Sequence, residues 1–220
     1  KTALCFQIDA SNNNFLRFSD TSYNYNTIGS QNITLAANVD LRNTGFVNLT
    51  RDNDIGSVSE GTRSYNGDKC IYSGIFDGKP DSTQYKITYG GSSIYRHSYT
   101  GLFSITNNAT VQKTTFEGSL SVNAKKATVY VGSAAGTAKG TFSASDLIVN
   151  TTINHAGGST LYVGGVLGEA SSTISTITVS DITANATITG SASSTCLGGV
   201  IGKISHNTNT ANVTWAFSNI

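Results

Sequence analysis

The chain has 220 residues, 38% hydrophobic and 12% charged, with a formal net charge of +1. That apolar share is enough for a packed core, but the charged share is about half the usual quarter of residues, so nothing argues electrostatically for nucleic acid or an anionic membrane surface. No apolar run approaches the roughly 20 residues of a spanning helix, so membrane insertion by helices is not expected.

The chain starts at Lys1 and contains no Met, so it reads as a processed or excised piece. Residues 1–30 differ from the rest. Leu4, Phe6 and Ile8 alternate as in a first strand, and Ser11-Asn12-Asn13-Asn14 offers N-cap residues ahead of a helical turn at Phe15-Leu16-Arg17-Phe18. This segment is expected to be an N-terminal cap of one strand and a short helix, with residues 31–220 forming a single elongated repeat domain. Residues 42–70 are polar, as in Arg51-Asp52-Asn53-Asp54, and read as a solvated insertion. Between 85 and 99 lie Tyr85, Tyr89, Tyr95 and Tyr99, beside Arg96 and His97. Alternating tyrosines usually ladder along stacked strands. The same rings beside polar groups can also stack on sugars, so these four are the candidate ligand contacts.

The second half repeats one phrase: Tyr130-Val131-Gly132, Tyr162-Val163-Gly164 and Cys196-Leu197-Gly198, with the glycines 32 and 34 residues apart. A looser copy is Thr100-Gly101-Leu102-Phe103-Ser104. A fixed period of this length marks a solenoid or array. After each copy the apolar positions share one spacing: Val111, Thr114, Phe116, Leu120; then Ala144, Leu147, Val149, Ile153; then Val179, Ile182, Ala184, Ile188. Trp215, Phe217 and Ile220 match Ile177, Val179 and Ile182. Apolar residues alternate with Ser, Thr and Asn, the period of a half-buried strand. Each strand is expected to bury its apolar face on the equivalent strand one coil away, with glycine where coils meet closely.

Gly165-Val166-Leu167-Gly168 and Gly199-Val200-Ile201-Gly202 resemble the GLUG-type repeats of secreted and surface proteins such as bacterial adhesins and immunoglobulin-A1-cleaving peptidases. Ser133-Ala134-Ala135-Gly136 is a degenerate copy. Upstream, Ile33-Thr34-Leu35-Ala36-Ala37-Asn38-Val39-Asp40-Leu41 looks like the leading strand of such domains. Tyr72-Ser73-Gly74-Ile75-Phe76-Asp77-Gly78 looks like their Gly-Thr-Phe-Asp-Gly element, with Lys79-Pro80-Asp81 in place of the usual Asn-Gly-His. The resemblance implies an all-β fold, a right-handed parallel β-helix, in an extracellular or cell-surface setting and without catalytic residues of its own.

Three cysteines forbid complete internal pairing. Cys5–Cys70 is the expected disulfide in an oxidising compartment, since both lie in the irregular N-terminal part; Cys196, inside a strand, reads as a small buried core residue. His97, His155 and His206 are scattered and no Cys-x-x-Cys occurs, so neither zinc nor another cofactor is expected. Asp146 and Asp181 are equivalent places 35 apart and could stack as catalytic carboxylates. Each sits at a Ser-Asp step where Asp commonly bonds its own backbone, and the first repeat has Lys113 there. Six Asn-x-Ser/Thr sequons, at Asn32, Asn48, Asn108, Asn150, Asn185 and Asn212, are the candidate glycan-attachment sites, in a number close to chance for this composition. The expected function is a non-enzymatic structural or adhesive β-helix module, self-associating or bound to other subunits or surface glycans. The alternative is a carbohydrate-binding or polysaccharide-processing β-helix.

Overall fold

The computed structural model describes residues 32–42, 71–78, 84–95, 99–123, 128–156, 160–205 and 213–220. The N-terminal cap, the 43–70 insertion, Lys79-Pro80-Asp81, Arg96, His97, His206, Cys5, Cys70, Asn48 and Asn212 lie outside these residues. Among the described residues there is no helix, and the strands are β1 (Ile33–Thr34), β2 (Val39–Asp40), β3 (Ile71–Tyr72), β4 (Ile75–Asp77), β5 (Lys86–Tyr95), β6 (Tyr99–Thr100), β7 (Phe103–Asn123) and β8 (Thr128–Val131). They continue as β9 (Ala135–Ala156), β10 (Thr160–Gly164), β11 (Leu167–Ala184), β12 (Thr187–Ser191), β13 (Ser194–Gly198), β14 (Ile201–Ile204) and β15 (Thr214–Ser218). All pairings are parallel, and the chain winds into a β-solenoid of about 4 turns. One sheet has 11 strands; a second has four, in the order β13-β10-β8-β6.

The repeat read from the sequence is the register of the solenoid. Val111 lies beside Ala144 and Ala144 beside Val179; Thr114, Leu147 and Ile182 form the next column, then Phe116, Val149 and Ala184, then Leu120, Ile153 and Ile188. Ile177 pairs with Trp215 and Val179 with Phe217. The looser upstream copies join the same stack, with Ile33 on Phe76 and Phe76 on Val111.

Alternation sends these columns inward. Phe76, Val111, Phe116, Ala144, Leu147, Val149 and Ile177 are all fully buried. Burying one such aliphatic or aromatic side chain contributes roughly 1.5–3 kcal/mol. Sizes are matched across layers: Ala109 pairs with Phe142 in one column, while Val111 pairs with Ala144 in the next. The upper layers are aromatic, with Tyr72 stacked on Phe103 at 4.0 Å between ring centroids and Phe76 meeting Phe103 edge-on at 5.7 Å.

The corners are equally periodic. Lys113, Asp146, Asp181 and Asn219 all take left-handed backbone conformations, with φ of 51°, 52°, 56° and 50°. Their neighbours Gln112, Ser145, Ser180 and Ser218 lie in one column, so these residues turn the same corner in successive layers. Asp and Asn tolerate this conformation because their short side chains bond locally. The Asn219 amide donates to the Asp181 carboxylate at 2.7 Å. Asp146 and Asp181, the candidate catalytic pair, are corner residues.

The last glycine of each repeat phrase serves layer contact. A Cβ on Gly168 would lie 2.5 Å from the Val131 nitrogen, 2.6 Å from the Gly136 oxygen and 2.8 Å from the Tyr130 carbonyl carbon, all rigid backbone; Gly136 and Gly202 face the preceding layer likewise. Gly199, by contrast, has nothing within 4 Å of such an atom. Gly168→Ala is therefore expected to cost about 1–3 kcal/mol and to lower the thermal midpoint by several degrees, whereas Gly199→Ala should leave it unchanged; calorimetry of the two variants checks this.

Candidate functional site

The four candidate tyrosines separate once the chain is wound. Tyr89 is a core residue, 2% exposed, stacked near Phe116, and its hydroxyl donates to the Ser133 carbonyl at 2.6 Å. It is buried wall, not ligand surface. Ser133 in turn donates its hydroxyl to Thr151 at 3.0 Å, also buried. The degenerate repeat copy therefore departs from glycine at Ser133 in order to tie the arch to the opposite strand. Tyr85 is half-buried against the core, and Tyr95 belongs to β5.

Tyr99 belongs to a different set. It lies beside Tyr130, Tyr130 beside Tyr162, and Tyr162 beside Cys196. The rings stack at 5.1 Å and 5.2 Å between centroids. Val131 and Val163, one residue on, point into the core, so this ladder runs along the outside of the second sheet. Tyr130 has a ring on each side, so both of its faces are covered within the row. Cys196 is a free, exposed cysteine, which corrects its reading as a buried core residue. Strand alternation places it on the outer face with the tyrosines, and it is Leu197 that occupies the inward column of Val131 and Val163.

Beside the ladder lies a polar cluster. Thr137, Glu169 and Lys203 form one column of three layers. Glu169 is 7% exposed, and its carboxylate accepts from the Ser205 hydroxyl at 2.7 Å and the Thr137 hydroxyl at 3.3 Å, with the Lys203 ammonium at 3.4 Å. The same ammonium lies 4.3 Å from the Tyr162 ring centroid and 6.0 Å from that of Tyr130, close enough for cation–π attraction. Burial first, then the Glu169 carboxylate, raises the Tyr99 phenol, and the same causes with the neighbouring phenols push Tyr130 up to about 12. One buried carboxylate thus joins three layers and adds to the effect of burial on the phenols of the ladder. With its acceptor positions taken by two hydroxyls and an ammonium, the arrangement is that of a clasp.

A raised tyrosine favours the fold below its ordinary value near 10 and withdraws that stabilisation as pH climbs towards the folded value. The ladder should therefore loosen between about pH 10 and 12. Glu169→Gln removes the negative charge and is expected to shift the phenolate absorbance titration of Tyr130 to lower pH, with Tyr130→Phe identifying that component.

Four sequons fall within the described residues. The Asn32 side-chain oxygen accepts from the Ile75 N–H, and that of Asn108 from the Thr141 N–H, each at 3.0 Å. Asn150 and Asn185 sit in adjacent layers, with the Asn185 amide donating to Asn150 at 3.2 Å. Among the described residues no group of three His, Cys, Asp or Glu side chains could hold a metal ion.

Among the described residues two buried polar side chains stand without partners: Thr100, by its hydroxyl, and His155, by both ring nitrogens. Thr100 occupies the inward column of Val131 and Val163, with the right shape and the wrong polarity. His155 lies between Val122 and Gly190, 6% exposed. Burial lowers its pKa below the ordinary 6.5. Below that pH the unfolded chain binds a proton that the folded chain refuses, so stability falls as pH falls through this range. His155→Val, which copies Val122, is expected to flatten the fall in denaturation midpoint between about pH 7 and 5, above the range where carboxylates titrate.

No family model, curated protein or solved structure matches the chain. The fold and this outer face define a β-solenoid of stacked parallel coils.

Proposed function

We propose that this solenoid is a non-enzymatic structural or adhesive module of an extracellular or cell-surface protein, of the GLUG-repeat kind, which presents ladders of side chains and associates through its coils. The observation that carries this reading is the way its chemistry-bearing groups are spent on holding layers together. Asp146 and Asp181 turn corners, Tyr89 braces the core, Tyr130 is stacked between two other rings, and Glu169 is engaged by Thr137, Ser205 and Lys203. The outer rows do the same: the Asn154 amide donates to Ser119 at 3.3 Å while its oxygen accepts from Thr189 at 2.6 Å. Ladders of this kind stiffen a rod and leave few polar groups free to act on a substrate.

The second reading, carbohydrate binding or processing, draws on the half-exposed Tyr99–Tyr130–Tyr162 row. Incubation with a panel of neutral and acidic polysaccharides is expected to release no reducing ends and no unsaturated products, and a glycan array to show no selective binding. Product release that Glu169→Gln abolishes would overturn the structural reading in favour of processing. Selective glycan capture lost in Tyr130→Ala would overturn it in favour of a sugar-binding face.

A further inference from the structure

A solenoid puts like residues one period apart into contact, and for tyrosine that brings phenols together. Tyr99, Tyr130 and Tyr162 hold one position in three successive layers. Their rings lie 5.1 Å and 5.2 Å apart between centroids and are inclined by only 15° and 20°. Each ring is half-buried on the outer face, while the next residue along, Thr100, Val131 or Val163, is fully buried and pins the backbone. The row is therefore held in contact and still reachable from solvent. Tyr72 and Tyr89 differ on both counts: they are core residues, and each stacks on a phenylalanine, Phe103 or Phe116.

We propose that this row is a site of oxidative tyrosine coupling, at which a peroxidase with hydrogen peroxide joins Tyr130 to Tyr99 or Tyr162 through a carbon–carbon bond and so ties two layers covalently. Each of the two phenols gives up one electron and its hydroxyl proton, leaving a phenoxyl radical. The radicals join through ring carbons next to the oxygens. The hydrogens on those carbons then return to the oxygens as protons, restoring two phenols in one biaryl. The pair has lost two hydrogens, and one hydrogen peroxide takes them up as two waters. The fold supplies what this reaction lacks in a flexible chain, namely two phenols held together before either is oxidised. Tyr130 is the shared member because it alone has a tyrosine ring on each side. Methionine, a common competing target of oxidants, is absent from the sequence. The linked positions are 31 or 32 residues apart, so the bond restricts the unfolded chain as a disulfide does.

The test treats the dilute 220-residue chain with a haem peroxidase and hydrogen peroxide at neutral pH, then reduces any disulfide and maps peptides by mass spectrometry. The expected product is a single chain lighter by two hydrogens, whose linked peptides carry Tyr130 with Tyr99 or Tyr162. Its thermal midpoint should rise by several degrees. Tyr130→Phe keeps the stacked ring without the hydroxyl and is expected to lower the yield of this link about tenfold or more. The double variant Tyr99→Phe with Tyr162→Phe leaves Tyr130 in place without a phenol beside it, and should lose the link equally. Either single variant, Tyr99→Phe or Tyr162→Phe, should keep a link to the remaining neighbour. Coupling that is undiminished in Tyr130→Phe would overturn the proposal. So would links that form only between chains, or an unlinked row under conditions that couple free tyrosine.

Discussion

In a stacked parallel coil each backbone must hydrogen-bond to the coil above and the coil below at a spacing of about 4.8 Å. That requirement fixes the register, and the register fixes everything else. Residues one period apart share burial, direction and backbone conformation, so a column rather than a residue is the unit of design. Phe116, Val149 and Ala184 fill one interior position in three sizes; Lys113, Asp146, Asp181 and Asn219 turn one corner with nearly one φ. Stability then becomes a sum of nearest-neighbour contacts between layers.

The same constraint explains the sparse charge. A column of identical charges would place like groups a few ångströms apart, each pair costing between about 1 kcal/mol in water and 4 kcal/mol near a protein surface. Neutral hydroxyls and amides escape this, since each can donate to one neighbour and accept from the other, as Asn154 does between Ser119 and Thr189. Two ion pairs meet as opposites in adjacent layers, Lys203 with Glu169 at 3.4 Å and Lys86 with Glu117 at 3.2 Å, while the like charges of Asp146 and Asp181 are kept to an exposed corner. Glu169 is the extreme case, since a buried carboxylate persists only when its lone pairs are met.

Period was the legible quantity. Apolar alternation plus fixed spacing placed the core columns in register, because a slip of one residue would turn every side chain to the other face. What went astray was whatever was grouped by nearness along the chain. Tyr85, Tyr89, Tyr95 and Tyr99 are neighbours in sequence, yet Tyr89 faces inward and Tyr99 stands in line with Tyr130 and Tyr162, some thirty residues on. Cys196 was assigned to the core because it lies in a strand; its column-mate Tyr162 shows that it faces out. The clasp was also readable by period, since Thr137, Glu169 and Lys203 repeat the 32- and 34-residue steps of Gly132, Gly164 and Gly198. Hydroxyl contacts such as Ser133 with Thr151 were not readable, because they cross the interior between columns of different phase.

The two unpartnered groups show how far size outranks polarity in this stack. Thr100 fits a column otherwise of Val and Leu because its shape is that of valine, although an unmet buried hydroxyl costs roughly 1–3 kcal/mol. His155 is accommodated because its partner one layer on is Gly190, where even a Cβ would press on Leu161 and approach His155 itself. Among the described residues neither group has a hydrogen-bond partner, and each bears on the cohesion of the layers it lies between. For His155 that influence falls on the β9–β12 junction, where Gly190 lies beside it. Acid that charges this ring therefore acts on the contacts that hold β7, β9 and β12 in register, between Val122 on one side and Gly190 on the other.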